Sequence, residues 1–123
     1  MAYLKIGDIT PYNRSFALSN TVWNIVVKWD YFSKKTIGTQ FVDAVDSVSA
    51  NIAEGFGRYH KKDKIKFYHY AKGSVLESFD WSEKAYVRKL INEKEYSHIN
   101  ENLKFLPKEI NHLIKFTNEK LDR

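Results

Sequence analysis

Cysteine is absent from this chain of 123 residues, and proline and glycine are scarce, with two and five residues respectively. Without cysteine the chain has no disulfide framework, no thiolate nucleophile and no cysteine-ligated metal site. A charged-then-apolar leader is also missing, and no apolar run approaches the ~18 residues that a membrane span needs. We therefore expect a cytoplasmic protein that is neither exported nor inserted in a membrane.

The composition is otherwise that of an ordinary globular domain with an excess of basic side chains. Its length suits one domain, 1–123, with a core large enough to need no covalent staples. The formal net charge of +5 favours polyanions such as nucleic acid through non-specific attraction. Many soluble proteins are equally basic and bind nothing anionic, so the charge alone leaves both interpretations open.

Apolar residues recur at steps of three and four, a pattern that predicts four long helices and no strand. The four apolar stripes are Leu18, Val22, Ile25, Trp29 and Phe32; Phe41, Val45, Val48 and Ile52; Tyr68, Ala71, Val75 and Phe79; and Tyr96, Ile99, Leu103, Leu106, Ile110 and Leu113. Thr10 is a candidate cap for helix 1 because Pro11 suits the first helical position, and Ser15 is a later candidate. Thr36 and Thr39 are alternative caps for helix 2, within a connection at 36–39. The predicted helices span about 10–33, 39–55 and 61–90, and the fourth follows a break at Asn92-Glu93.

Short connections between long helices make them antiparallel neighbours, so the predicted fold is all-α, an up-down-up-down antiparallel four-helix bundle. Residues 1–10 lack a clear period and are interpreted as a loose N-terminal arm. Pro107 lies inside the fourth helical pattern, where it predicts a kink or a split near Leu103.

The stretch 51–58 closes the second helical pattern and reverses the chain into the third. Gly55 and Gly57 suit the left-handed conformation that ends a helix. Asn51, Glu54 and Arg58 are spaced three and four apart, on one helix face. They either present a carboxylate and a guanidinium to a partner, or satisfy helix ends or bond across a subunit interface; the structural role is favoured.

Two blocks of residues form a motif: the first is Asn51, Ile52, Ala53, Glu54, Gly55, Gly57 and Arg58, and the second is Phe67, Ala71, Gly73, Ser74 and Glu77. On these residues, stretch 47–77 resembles a bacterial four-helix-bundle family encoded in intervening sequences of large-subunit ribosomal RNA genes. Its members often carry a ribosomal-protein label, and the accessory variability proteins of diversity-generating retroelements are similar. His60 departs from the family, which usually has a serine or threonine there to cap helix 3. A looser resemblance covers about 16–116.

The resemblance implies a bundle that assembles into a ring-like homopentamer, with no established enzymatic activity. Nucleic-acid binding belongs to the retroelement branch of this resemblance. Gly73 lies in mid-helix, where glycine costs about 1 kcal/mol relative to alanine. We interpret it as the site of a close helix crossing, with Ser74 bonding across the crossing.

Two arrangements of residues suggest an enzyme, but in each the groups are too far apart to act together. Glu54 and Glu77 are separated by about 18 Å along an antiparallel hairpin, too far for a general acid–base pair. Two Glu-x-x-His motifs, Glu95 to His98 and Glu109 to His112, resemble those of di-iron bundles. Both lie on helix 4, about 21 Å apart if it is straight, so they cannot share one metal centre within a subunit. We predict no enzyme, no metal and no cofactor.

Basic residues surround the turn between helices 2 and 3, and lysines in the first turn of a helix are mildly unfavourable. Local stability therefore does not explain these lysines, but they fit an anion site in which free backbone N–H groups and lysines converge on phosphate. Tyr59, His60 and Tyr68 are candidates for stacking on bases. The alternative is a solvated turn. The candidate nucleic-acid-binding residues are Arg58, Lys61, Lys62, Lys64 and Lys66.

Three hypotheses for the function follow. The first is a non-enzymatic homo-oligomer that associates with RNA or DNA through this basic turn. The second is a structural or scaffolding oligomer whose partner is another protein, such as a reverse transcriptase. The third, a metal-dependent bundle enzyme, is remote. Trp23 and Val26 lie beside the apolar stripe of helix 1 and widen it, which suggests a second packing partner.

Overall fold

The computed structural model describes residues 4–121, and within that range the chain is all-α with no strand. A short 3-10 turn, Ile6–Asp8, precedes the first helix. Helix α2 is continuous but composite, with one α-helical turn, a π-helical segment and a long α-helical segment. The bounds are α1 Thr10–Val26; α2 Tyr31–Ser33, Lys34–Gly38 and Thr39–Phe56; α3 Lys61–Val87; and α4 Glu93–Lys120.

The boundary between the first two helices differs from the prediction, because α1 ends at Val26 and α2 begins at Tyr31. Asp30 caps α2: its carboxylate accepts the backbone N–H of Ser33 at 2.9 Å and the Ser33 hydroxyl at 2.8 Å. The backbone bond from Ser33, followed by the hydroxyl bond, lowers the pKa of Asp30. The predicted connection at 36–39 therefore lies inside α2.

Neither predicted cap of α2 acts as one. Thr36 donates its hydroxyl to the carbonyl of Phe32 at 2.7 Å, and Thr39 donates to that of Lys34 at 3.0 Å. The sequence was misleading because Trp29 and Phe32 continue the spacing of the apolar stripe across a compact turn. In fact Phe32 is 73% exposed, outside the core.

At the start of α1 the boundary is confirmed but the cap is not. Thr10 is the first helical residue, Pro11 follows it, and the cap position is Ile9, which makes no side-chain capping bond. Ser15 is buried within the helix, where its hydroxyl donates to the carbonyl of Pro11 at 2.7 Å. A serine on a buried helix face commonly bonds back in this way, which explains why it resembled a cap.

The predicted break before α4 is confirmed. The Asn92 side chain accepts the N–H of Glu95 at 2.8 Å, and the Glu95 carboxylate accepts the N–H of Asn92 at 2.9 Å, forming a capping box. Helix α3 ends slightly earlier than predicted, at Val87. Lys89 then adopts a left-handed conformation with φ of 61°, and the N–H of Leu90 reaches back to the carbonyl of Ala85 at 2.8 Å.

Helix α4 runs without a break past Pro107, so the predicted split is wrong. Proline deprives the carbonyl of Leu103 of its usual partner, at a cost of about 3 kcal/mol. Leu103, Leu106 and Ile110 are fully buried on the same helix, and their packing favours continuity. A kink at Pro107 stays a prediction.

One apolar core joins the four helices. Helices α1 and α3 each pack against both α2 and α4. The buried residues of the predicted stripes are Leu18, Val22, Phe41, Val45, Val48, Ile52, Tyr68, Ala71, Val75, Ile99, Leu103, Leu106 and Ile110. Val26, which we had placed beside the stripe, is buried with them. Trp23 on the same helix is 55% exposed.

Candidate nucleic-acid interface

The connection between α2 and α3 covers residues 57–60 and forms without a left-handed glycine. Gly57 has φ −77° and ψ −9°, and no glycine among residues 4–121 has a positive φ. The prediction of left-handed glycines at Gly55 and Gly57 is therefore wrong. The chain leaves α2 at Gly57 in a right-handed conformation, and it enters α3 through His60, which is extended at φ −84° and ψ 138°. His60 makes no side-chain capping bond.

Gly55 is required for a different reason, the close approach of two helices. A Cβ atom built on Gly55 would lie 2.7 Å from the Cε1 atom of Tyr68 and 2.9 Å from the backbone oxygen of Lys64. Such distances are too short for non-bonded carbon, so only glycine lets the end of α2 lie against the first turns of α3. This contact fixes where the basic turn sits.

The polar residues before the turn bond within their own helix. Asn51 donates its side-chain amide to the carbonyl of Ser47 at 2.8 Å. Glu54 and Arg58 form an ion pair at 3.2 Å, with both side chains about half exposed. The proposal that this trio satisfies the ends of neighbouring helices is thus wrong for Asn51, whereas a bond across a subunit interface stays a prediction.

The second motif block does not form a helix crossing. A Cβ atom on Gly73 would meet nothing within 4 Å, and Gly73 is exposed. The Ser74 hydroxyl donates to the carbonyl of Tyr70 at 3.2 Å, within α3. Glu77 is exposed on the same helix. The predicted close crossing at Gly73 is therefore wrong within the chain. Gly73 and Glu77 lie on an outer face of α3, whereas Ala71 of the same block is buried in the core.

Two of the five basic residues hold the ends of other helices. The Nζ atom of Lys61 donates to the carbonyls of Asn118 and Leu121, at 3.3 and 3.1 Å, where α4 ends. The Nζ atom of Lys64 donates to the carbonyl of Phe56 at 2.6 Å, where α2 ends. Cations favour helix C-termini, so local stability does explain these two lysines, contrary to the sequence interpretation.

The other basic residues form an exposed surface with aromatic rings. The Arg58 guanidinium lies 4.6 Å from the centre of the Phe67 ring, and the Lys66 ammonium lies 5.8 Å from it. Phe67 in turn meets Tyr70 edge to face, with ring centres 5.4 Å apart, and Tyr70 is 50% exposed. We call Arg58, Lys62, Lys66, Phe67 and Tyr70 the basic-aromatic patch.

We include Lys62 in this patch because it is exposed in the first turn of α3, on the same helix face as Lys66 four residues later. Sequence reasoning missed the two aromatics, although Phe67 and Tyr70 are three residues apart and share a helix face with Lys66. Of the proposed stacking residues, Tyr59 and His60 are exposed and touch edge to face at 5.0 Å.

Tyr68 is unavailable for stacking because it is buried. Burial raises the pKa of its hydroxyl to about 12, against the smaller opposing effect of a hydrogen bond with Thr117.

The carboxylates of the Glu-x-x-His motifs have structural partners. Glu95 caps α4, and Glu109 accepts from Arg14 Nε at 2.9 Å. Within residues 4–121 no group of three potential ligands is placed to hold a metal. None of the helices in the described part of the chain is long and apolar enough to cross a membrane.

Fold and site together define an all-α bundle protein with a basic connection and an exposed basic-aromatic patch. The chain belongs to the family of 23S rRNA-intervening sequence proteins, whose model matches residues 7–112. This confirms the family resemblance seen in the sequence; the similarity to retroelement proteins stays a prediction.

A solved structure supports the same fold. It is a protein of unknown function from the S23 ribosomal protein family of Bacteroides thetaiotaomicron VPI-5482. The likeness has a TM-score of 0.76 at 20% identity, and it covers 86% of this chain and 99% of that chain. At this identity the likeness shows the fold alone. No curated protein sequence matches the chain.

Proposed function

We propose that this protein is a non-enzymatic, cytoplasmic homo-oligomer that binds the backbone of RNA or DNA through the turn between α2 and α3. The observation that carries the proposal is the basic-aromatic patch, in which exposed cations flank two aromatic rings. The cations attract phosphates without regard to sequence, and the exposed ring of Tyr70 offers a surface on which an unpaired base stacks. The family's link to ribosomal RNA intervening sequences is consistent with this function.

The two kinds of lysine in the turn have different roles in this proposal. Lys61 and Lys64 already donate to backbone carbonyls and hold the turn in place. Lys62 and Lys66 are exposed and are the proposed phosphate contacts. Arg58 forms an exposed ion pair with Glu54. Such a pair contributes little to stability, so a phosphate easily replaces Glu54 as the partner of Arg58.

We also propose the up-down-up-down order of the helices, which places the basic turn beside the end of α4. Three contacts support this order. Lys61 at the start of α3 reaches Leu121 just after α4. Ser82, late in α3, donates to Asn100, early in α4, at 2.9 Å. Arg14, early in α1, binds Glu109, late in α4.

The proposed assembly uses the outer face of α1. Phe16, Trp23 and Val27 recur at steps of seven and four and are 51%, 55% and 43% exposed, so they form an apolar stripe facing solvent. Two residues of this stripe, Trp23 and Val27, together with Val42 of α2, also line a groove of about 320 Å³. A second copy of the chain would cover this surface, and the resemblance implies a ring of five.

The alternative function is a scaffolding oligomer that binds a protein partner. The apolar stripe of α1 favours it, because such a stripe serves a different protein as well as a second copy. Nucleic-acid binding by the purified protein distinguishes the two, since scaffolding needs none.

The test removes exposed charge without disturbing the turn. We expect the double variant Lys62→Gln, Lys66→Gln to bind generic RNA or DNA about tenfold more weakly for each lysine lost, because each gives up a charge-assisted contact. Glutamine is also a long polar side chain, and its helix propensity is close to that of lysine. Fluorescence anisotropy at low salt measures the affinity.

The matched control is Lys94→Gln, Lys104→Gln, which removes the same charge from exposed positions on α4. We expect this control to bind nearly as well as wild type. If both double variants lost the same affinity, the effect would be one of net charge, and the patch would not be the site. If wild type bound nothing at low salt, the scaffolding function would replace the proposal.

A further inference from the structure

A mostly apolar cavity of about 510 Å³ lies at the end of the bundle, where the start of α3 meets the end of α4. Its volume falls in the range of about 300–1,000 Å³ that is typical of small-molecule sites, and such sites combine an apolar lining with a few polar groups. The lining residues are Leu4, Ile9, Phe56, Lys64, Tyr68, Leu113, Phe116, Thr117, Lys120 and Leu121.

Among the residues that the structure describes, the cavity lining holds two cations and no carboxylate. Lys64 is partly buried, and its ammonium makes one hydrogen bond, to the carbonyl of Phe56 at 2.6 Å. An ammonium has three donors, so two remain for an anion. Lys120 adds a second positive charge from an exposed position at the end of α4. The described lining is therefore mostly apolar, and two lysines contribute its positive charge.

Burial lowers the pKa of the Lys64 ammonium, because removing water disfavours the charged form. An anion placed beside Lys64 would replace part of the lost hydration. The partly buried ammonium is thus better suited to an anionic ligand than the solvated lysines of the patch, since fewer waters have to be displaced.

We propose that this cavity binds a small amphipathic carboxylate. The carboxylate pairs with Lys64 and Lys120, and the apolar body lies along Ile9, Leu113 and Phe116. Tyr68 and Thr117, which share a hydrogen bond, contribute polar hydroxyl groups to the lining. The Tyr68 hydroxyl is uncharged at physiological pH because its pKa is raised to about 12. The proposal is independent of nucleic-acid binding, because the basic-aromatic patch contributes no residue to the cavity.

The test uses decanoate as the probe and decanol as its neutral counterpart. Methyl-selective NMR of wild type should show shifts of Ile9, Leu113 and Thr117 when decanoate is added. Decanoate should bind at least about tenfold more tightly than decanol, as one charge-assisted contact provides. Shifts confined to Val27 and Val42, which line the groove beside α1, would overturn the proposal, as would equal affinities for the two probes.

Variants assign the charge requirement to this cavity. Lys64→Gln keeps a donor for the Phe56 carbonyl but loses the charge, and Lys120→Gln loses the second charge at an exposed position. Each should weaken decanoate binding severalfold and leave decanol binding unchanged. Lys115→Gln, also exposed on α4 but outside the cavity lining, is the control. If Lys64→Gln failed to fold, Lys120→Gln compared with Lys115→Gln would decide, and equal decanoate affinities for that pair would overturn the proposal.

Discussion

Replacing Gly55 by alanine is expected to destabilise the fold by about 3 kcal/mol, near the upper end of overpacking costs. The new Cβ atom would lie 2.7 Å from the Tyr68 ring and 2.9 Å from the backbone oxygen of Lys64. The ring is buried and the carbonyl belongs to a helix, so neither gives way without moving α3. Urea denaturation of the purified variant, followed by circular dichroism, measures the loss.

Two other glycines provide matched controls. A Cβ atom on Gly57 would lie 3.6 Å from its nearest neighbour, an ordinary contact, and its φ suits any residue. Gly57→Ala should therefore stay within about 1 kcal/mol of wild type. Gly73→Ala should stabilise by up to about 1 kcal/mol, because the site is exposed, helical and open. If Gly55→Ala were as stable as these controls, the helix contact at Gly55 would be looser than described.

Placing charge on the apolar stripe of α1 should dissociate the proposed oligomer. We expect the double variant Trp23→Glu, Val27→Glu to elute with the mass of one chain, whereas wild type has a mass several times larger. Both positions are exposed in the single chain, so the fold should survive. Burying two carboxylates against a second copy would cost more than such an interface gains. Light scattering coupled to size exclusion gives both masses.

The control for this variant lies on α3. Leu76 is 69% exposed, so Leu76→Glu adds a carboxylate to a different apolar surface. It should leave the assembly intact. A wild-type protein that is monomeric at micromolar concentration would contradict the proposed assembly, and a double variant that keeps the wild-type mass would show that another face forms the interface.

Much of the fold could be predicted from the sequence because the apolar residues spaced three and four apart are the ones that form the core. The stripes through Phe41, Val45, Tyr68 and Ile99 are buried as expected. The error at the first boundary has a physical cause. The turn between α1 and α2 has four residues, 27–30, about the number in one helical turn. The apolar spacing therefore continues across it to Phe32, although α1 has already ended at Val26.

The glycines show where sequence reasoning fails. A glycine near a helix end is typical of a left-handed cap, but Gly55 is needed to make room for Tyr68, a contact between residues on different helices. The left-handed residue is instead Lys89, which no pattern singled out. Close approach depends on how two helices lie together, and the sequence of one helix does not specify it.

The basic turn illustrates the same limit for the site. All five cations were found from their clustering around the predicted turn. The structure was needed to separate those that bond to helix ends from those that are exposed. Lys61 and Lys64 stabilise the ends of α4 and α2, whereas Lys62 and Lys66 remain available to a ligand. The rings of Phe67 and Tyr70 were missed because they follow the basic cluster in the chain and meet it only on the helix surface.

The salt dependence of nucleic-acid binding tests the central proposal most directly. For single-stranded RNA, the slope of log affinity against log salt is about −0.7 per phosphate contacted, and for duplex DNA about −0.9. Contacts from Arg58, Lys62 and Lys66 of one subunit predict a slope near −2 on RNA, so a fourfold rise in salt should weaken binding about twentyfold. An anisotropy titration of wild type at several salt concentrations gives this slope. A slope near zero, or no binding at the lowest salt, would contradict the proposal.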